Sequence, residues 1–332
     1  MTATVPAAPA APAAPAAPAA TVSRPRLLRG LPWLVARQHR ATALGVLAAV
    51  AVGCALLVQQ RFALAGLLDR AGWPAKEVPQ PVVGGSLHGY LTLGLSALPV
   101  ALAVFVGAPL ISGDQEQGTA QLVTTQSVTR RQWLLAKLTW CYSLALLAAV
   151  PLGLLHTWYW EPHRSLMPHE WIEGAVFDST GPMLPAFALF LTAVGVAVGL
   201  LTRRVFVAMT ATFALALAVE MAWDRVRTEL APSRMFTYPL DTDLPARLSE
   251  AYELDRWVGS ADGRLYGWGS CAEETEAASE ACLREKGIVN DVIEYLGYDQ
   301  MPAMQWTGAG ILLGGTVLLT AFVVVRVGRR PL

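Results

Sequence analysis

Three histidines and three glutamates crowd one stretch of this sequence, His156, His163 and His169 with Glu161, Glu170 and Glu173. They are metal-ligand types, and His169-Glu170-Trp171-Ile172-Glu173 comes close to the HExxH zinc signature. That chemistry needs two histidines one helical turn apart with the glutamate as base. Here Glu173 stands where the second histidine must be and Pro168 comes just before, so the stretch predicts no metal site. The neighbouring Trp158, Tyr159, Trp160 and Trp171 read more simply as an aromatic belt at a membrane interface. Glu220 lies inside an apolar run, where an ionisable group is costly and turns to a cavity or a partner. It is a candidate for a substrate path, or else a carboxylate close enough to the interface to reach headgroup water. Cys54 and Cys141 sit in apolar runs and read as small apolar residues. Cys271 and Cys282 lie in a long polar stretch where oxidation is open to them. In one straight helix their Cα atoms would stand ~16 Å apart, too far to bridge, so the predicted disulfide requires a bend near Ala277 to Ser279. No GxxxxGK[ST] phosphate loop occurs, so this chain is not predicted to bind or hydrolyse ATP by that route. No Ser-His-Asp or di-Cys metal arrangement stands out, and the chain does not read as an enzyme.

One further polar stretch has a regular order of charges. Ser112 to Lys137 carries its acids first, Asp114 and Glu116, then Gly118-Thr119, then Arg130, Arg131 and Lys137. It separates two apolar runs, Leu91 to Ile111 and Trp133 to Leu155, each about the 20 residues a helix needs to cross a ~30 Å hydrocarbon core.

The elements that hold these residues must live in lipid. The chain is 54% hydrophobic and only 15% charged, with mean hydropathy +0.42, against about 25% charged residues in soluble domains. Net charge is zero, so overall charge points to no partner, and nothing implies nucleic acid. Six apolar runs predict membrane helices: about Ala41–Val58, Leu91–Ile111, Trp133–Leu155, Leu184–Leu201, Val205–Ala222 and Ala303–Val325. Apart from Glu220, all acids but Asp114 and Glu116 then fall on the side away from the Ser112–Lys137 stretch. On the near side, basic residues hug the span ends, from Arg24 to Arg40, at Arg203-Arg204 and from Arg326 to Arg330. The positive-inside rule makes that side cytoplasmic, with both termini inside. Residues 1–26 form a Pro/Ala-rich tail that reads as disordered. Leu27 to Arg40 reads as an interfacial helix or as an irregular basic flank. Residues 27–223 hold the first five spans and the loop 112–132, and 303–332 the sixth span and a basic tail. Between them, 224–302 predicts a small, mostly helical cap on the outer face, because Leu244, Leu248, Ala251 and Tyr252, and then Val289, Val292, Ile293 and Leu296, recur at helical spacing. Gly195/Gly199 and Gly310/Gly314 are small-xxx-small pairs that let helices approach closely, within the chain or at a dimer face.

The pattern of an acidic pair, Gly-Thr, a short helix, a turn, Arg and Lys between two spans resembles the cytoplasmic loop of type-2 ABC transporter permeases, the ABC-2 exporters. The matching positions are Glu116, Gly118, Thr119, Ser127, Arg130 and Lys137, and the resemblance covers essentially Leu27 to Arg330. It implies a multi-pass subunit of the cytoplasmic membrane, paired as a homodimer or heterodimer of permeases with separate ATPase chains that carry the ATP and Mg. It also implies a coupling helix, with Asp114, Glu116, Gly118 and Thr119 at its start and Arg130, Arg131 and Lys137 against headgroup phosphates at its far end. No cofactor is expected on this chain itself. The rival class is a non-transporting membrane sensor, immunity or assembly protein with a ligand-binding outer cap.

Overall fold

The computed structural model describes residues 30–76, 78, 86–118 and 128–329. It is mostly helical, with six helices long and apolar enough to cross a membrane: Arg40–Ala71, Leu87–Glu116, Arg130–Leu166, Met183–Thr202, Val205–Thr228 and Tyr298–Arg329. A short α1 (Leu31–Gln38) precedes α2 (Arg40–Ala71), which decides for a helix in the basic flank. The second crossing is built from α3 (Ser86–Leu102), a π-helical turn (Ala103–Gly107) and α4 (Pro109–Glu116). Next come α5 (Arg130–Trp160), which runs on as a 3-10 segment to Leu166, the short α6 (Gly174–Phe177), α7 (Met183–Thr202) and α8 (Val205–Thr228). The last crossing is α10 (Met301–Arg329).

Two of the helices outrun the apolar stretches that announce them. After Val58, α2 continues through a mixed sequence until Gly72 takes a left-handed φ of 84° and its N–H caps the carbonyls of Leu68 and Asp69. At 1.5 Å per residue α2 is about 48 Å long, well beyond a ~30 Å hydrocarbon layer. Likewise α5 carries the aromatic cluster inside its last turn. The predicted belt is corrected accordingly: Tyr159, Trp160 and Trp171 are core residues, and only Trp158 is exposed.

The centre of the bundle is α7, buried on most of its circumference from Met183 to Leu200. Its glycines set how close the second crossing comes. A Cβ on Gly195 would stand 2.4 Å from the Ala103 carbonyl oxygen, and one on Gly199 2.2 Å from that of Ala108, so backbone touches backbone there. The π-helical turn lies at this contact, downstream of Pro99, whose ring leaves α3 one N–H short. By contrast, a Cβ on Gly310 or Gly314 would meet nothing within 4 Å among the described residues, so no close helix approach within them depends on that pair.

Between α8 and α10 the expected mostly helical cap is overturned. The segment folds as a four-stranded antiparallel sheet, in the order β1-β4-β2-β3, with one helix. The strands are β1 (Arg234–Pro239), β2 (Tyr252–Ser260), β3 (Leu265–Gly267) and β4 (Ile288–Leu296), and the helix is α9 (Glu276–Lys286). In β4, Val292 and Ile293 are neighbours in sequence and both buried. A central strand covered on both faces loses the alternation that would mark it, and the spacing left behind mimics a helix. Its β-branched residues were the signal that favoured a strand. Cys271 and Cys282 are bridged, with Cα atoms 5.5 Å apart. The predicted bend at Ala277 to Ser279 does not occur. Instead α9 starts only at Glu276, capped by the Thr275 hydroxyl, and Cys271 lies ahead of it.

Candidate functional site

The six long helices bring α1, the C-terminal end of α4, the start of α5, the α7–α8 turn and the C-terminal end of α10 to one end of the bundle. At that end α4 hands over to the polar segment and α5 takes the chain back. Lys137, about two turns into α5, is completely buried. Its Nζ donates to the carbonyl of Leu110 at 2.7 Å and to Asp114 Oδ2 at 2.6 Å, and it lies 5.0 Å from the centre of the Trp133 ring. Asp114 is itself buried and also accepts from the Gln38 amide at 3.1 Å. A buried charge of either sign persists only when paired and hydrogen-bonded. Each of these two makes the other tolerable, and together they tie α1, α4 and α5.

This corrects the sequence reading of Lys137 and Asp114. Neither side chain is available to a headgroup or to another protein, because each is spent inside the bundle. Glu116 is exposed but also has a task within the chain: its Oε2 accepts the Val205 N–H at 2.7 Å. That N–H opens α8 and has no partner within its own helix, and a carboxylate there also suits the helix dipole. The turn before it is made by Arg203, left-handed at φ 58°, and Arg204, extended. Gly118 closes α4 at φ +70°, and a Cβ there would meet nothing within 4 Å among the described residues. Thr119 lies outside the described residues. Past them, Thr129 and Gln132 form a reciprocal capping box that starts α5. Arg130 is half-buried and Arg131 exposed on its first turn.

Sequence reasoning missed Gln38 and His39. The His39 ring packs on Trp140 with centroids 4.8 Å apart. Burial first, and the Lys137 charge second, push its pKa down to about 4 against an opposing pull from Asp114. His39 is therefore neutral at physiological pH. The adjacency of Gln38-His39 to the first span was the one available clue.

Glu220 sits elsewhere, towards the opposite end of the bundle. With Ser96, Pro99, Phe187 and Trp223 it lines a cavity of about 200 Å³ that Asp178 and Asp224 also face. The buried Arg227 holds Asp178 at 3.2 Å and pairs with Asp224 as well, and Trp223 Nε1–H donates to Asp178 at 2.9 Å. Burial raises the Asp178 carboxyl to about 6, with Arg227 and the Trp223 donor pulling the other way. Among the described residues no group of three or more His, Cys, Asp or Glu is placed to hold a metal ion. His169 pairs with Glu173 at 2.7 Å within a turn, and His156 meets the Ser179 hydroxyl at 2.9 Å.

No curated protein and no solved structure matches the chain. A family model does: the one described as ABC-2 membrane transporter related matches residues 44–227, from α2 to the end of α8.

Proposed function

Because the chain belongs to the ABC-2 membrane transporter related family, we propose that it is the transmembrane permease subunit of an ABC exporter in the cytoplasmic membrane. In this reading both termini and the 117–129 segment are cytoplasmic, and the sheet between α8 and α10 is the outer cap. ATP is hydrolysed on separate ATPase chains that carry ATP and Mg, and two permeases pair. The observation that carries the reading is the clamp on the flanks of the 117–129 segment. Asp114 and Lys137 join the helix that enters the segment to the helix that leaves it, and Glu116 joins its entrance to α8. In this reading a push delivered to either flank reaches three crossings through these contacts. That suits linkage between ATP-driven closure of a partner and a change in substrate affinity across the bundle. Glu220 and its cavity are the proposed substrate path.

The test is co-purification with candidate ATPase subunits, followed by ATP hydrolysis in the reconstituted complex. Glu116→Gln keeps an acceptor for the Val205 N–H and removes only the charge. Losing one charge-assisted hydrogen bond at a docking surface costs about 1.5–3 kcal/mol, roughly ten- to a hundredfold in coupling. Gly118→Val denies the backbone its positive φ. Both variants are expected to express and insert normally yet lose substrate-stimulated hydrolysis. Full stimulation and transport in both would sink the coupling assignment.

A further inference from the structure

Glu220 and Asp224 stand one turn apart near the end of α8, and both line the cavity of about 200 Å³ that Asp178 also faces. Like charges at that spacing on a helix repel. The cations nearby relieve little of it. Arg227 is shared by Asp178 and Asp224 and gives its other terminal nitrogen to the Ile172 carbonyl at 2.9 Å. Arg225 turns back to the Met221 carbonyl at 3.3 Å. Glu220, half-buried, is left with no hydrogen bond or ion pair among the described residues. Three carboxylates therefore face one cavity with one guanidinium between them, and that guanidinium lies buried behind the wall.

This balance of charge narrows what could fill the space. An anion would add to the repulsion. A neutral molecule would leave Glu220 without a counter-charge inside a span, where an ionisable group is costly until it has a partner. A cation relieves both. A metal ion suits the cavity poorly, because it wants several oxygens converging on one point. Among the described residues no group of three or more His, Cys, Asp or Glu is so placed. Its hydration shell would also meet Leu95, Pro99, Leu184 and Phe187 on the floor, which can replace none of the lost water contacts. An alkylammonium fits the same walls. Its three N–H donors can reach carboxylates set apart from one another, and its carbon tail asks no hydrogen bond of the floor. The acceptors are open to it: the Asp178 and Asp224 side chains are 22% and 68% exposed. At about 200 Å³ the cavity is smaller than the ~300–1,000 Å³ of a drug-sized pocket, so it takes a headgroup and a short tail.

We propose that the cavity at Glu220, Asp178 and Asp224 takes the ammonium headgroup of an alkylamine, so that the substrates of this chain are organic cations. This names the substrate class of the path already assigned to the cavity, and it rests on that reading. It is tested with the full chain in nanodiscs of zwitterionic lipid, with empty nanodiscs as background. Equilibrium dialysis compares n-hexylammonium, hexanol and hexanoate, which share a tail and differ in charge. Saturable binding of hexylammonium is expected, and none of hexanol or hexanoate above background. Glu220→Gln removes the charge without breaking any contact, and should weaken hexylammonium about tenfold or more, the change one hydrogen bond to a charged group makes. Should that variant fail to fold, Asp224→Asn, at an exposed position, should weaken it in the same direction. Absence of saturable hexylammonium binding overturns the proposal. So does equal binding of hexanol or hexanoate, displacement by millimolar calcium, or hexylammonium binding unchanged in the folded variants. Association with an ATPase is read separately. A chain that co-purifies with an ATPase but binds no hexylammonium loses the substrate class alone. One that binds hexylammonium but associates with no ATPase loses the transport reading and keeps the cation site.

Discussion

Lys137 is a charged side chain at zero exposure inside a helix that sequence alone assigns to the membrane, and everything it does follows from Asp114. Removing one member of a buried pair strands the other, at a cost of about 3–5 kcal/mol, whereas replacing both with apolar groups of similar size is often neutral. Lys137→Met and Asp114→Asn alone should therefore each lower the thermal midpoint of the purified protein sharply. The double variant Asp114→Leu/Lys137→Met should recover most of the loss. A double variant no better than the singles would show that the pair does not act as a unit. His39 makes the second prediction at this scale. Its folded pKa, about 4, lies below the ordinary value near 6.5, so the unfolded chain binds the extra proton first. Its contribution is whole above pH 6.5 and is lost as pH falls towards 4. A thermal-shift series from pH 7 to pH 4 should decline less steeply for His39→Gln than for the unaltered chain, and parallel curves would exclude the assignment. The residue types here were legible beforehand, but their partners were not. Spacing shows that Asp114 and Lys137 flank one segment; it cannot show that both turn inward, because that depends on α1 and Trp133 closing over them.

At the scale of elements, the spans were readable because a 20-residue apolar run in lipid has few alternatives to a helix. Their ends were less so, since α2 and α5 continue past their apolar cores through residues with no strong breaker. The sheet unit was misread for the reason β4 shows: both its faces are covered, so Val292 and Ile293 repeat like a helical stripe. Glycine pairs separate two kinds of element contact. Gly199→Ala would drive a methyl into the Ala108 carbonyl, where forcing an extra carbon into a packed contact costs about 1–3 kcal/mol. Gly310→Ala and Gly314→Ala meet open space and should be neutral or slightly stabilising, since glycine within a helix gives up roughly 0.5–1 kcal/mol to alanine. Thermal midpoints of the three variants decide it, and equal losses at all three positions would refute the distinction. The disulfide belongs here too. Replacing Cys271 and Cys282 by serine should destabilise the sheet unit by about 2–4 kcal/mol, read as faster proteolysis within residues 234–296. Alkylation without reduction should find both thiols blocked in the parent protein.

The whole molecule reads as a bundle carrying one inserted unit. Reporters fused after Leu332 and inserted at Gly263 should report opposite sides of the membrane, and agreement between them would end the six-crossing arrangement. The unit has a further property. Its first and last strands lie side by side, with Arg234 opposite Tyr295, and Arg234 is pinned to Asp299 at 2.8 Å at the base of α10. Chain therefore leaves the bundle and re-enters it through a single narrow doorway. A segment attached in that way is a cassette, fastened at its base where Leu296 joins the buried cluster around Trp171 and Trp223 and where Arg164 holds Glu250. The family match stops at residue 227, just short of that doorway. The matched stretch takes in five of the six long helices, and α10 lies outside it together with the sheet.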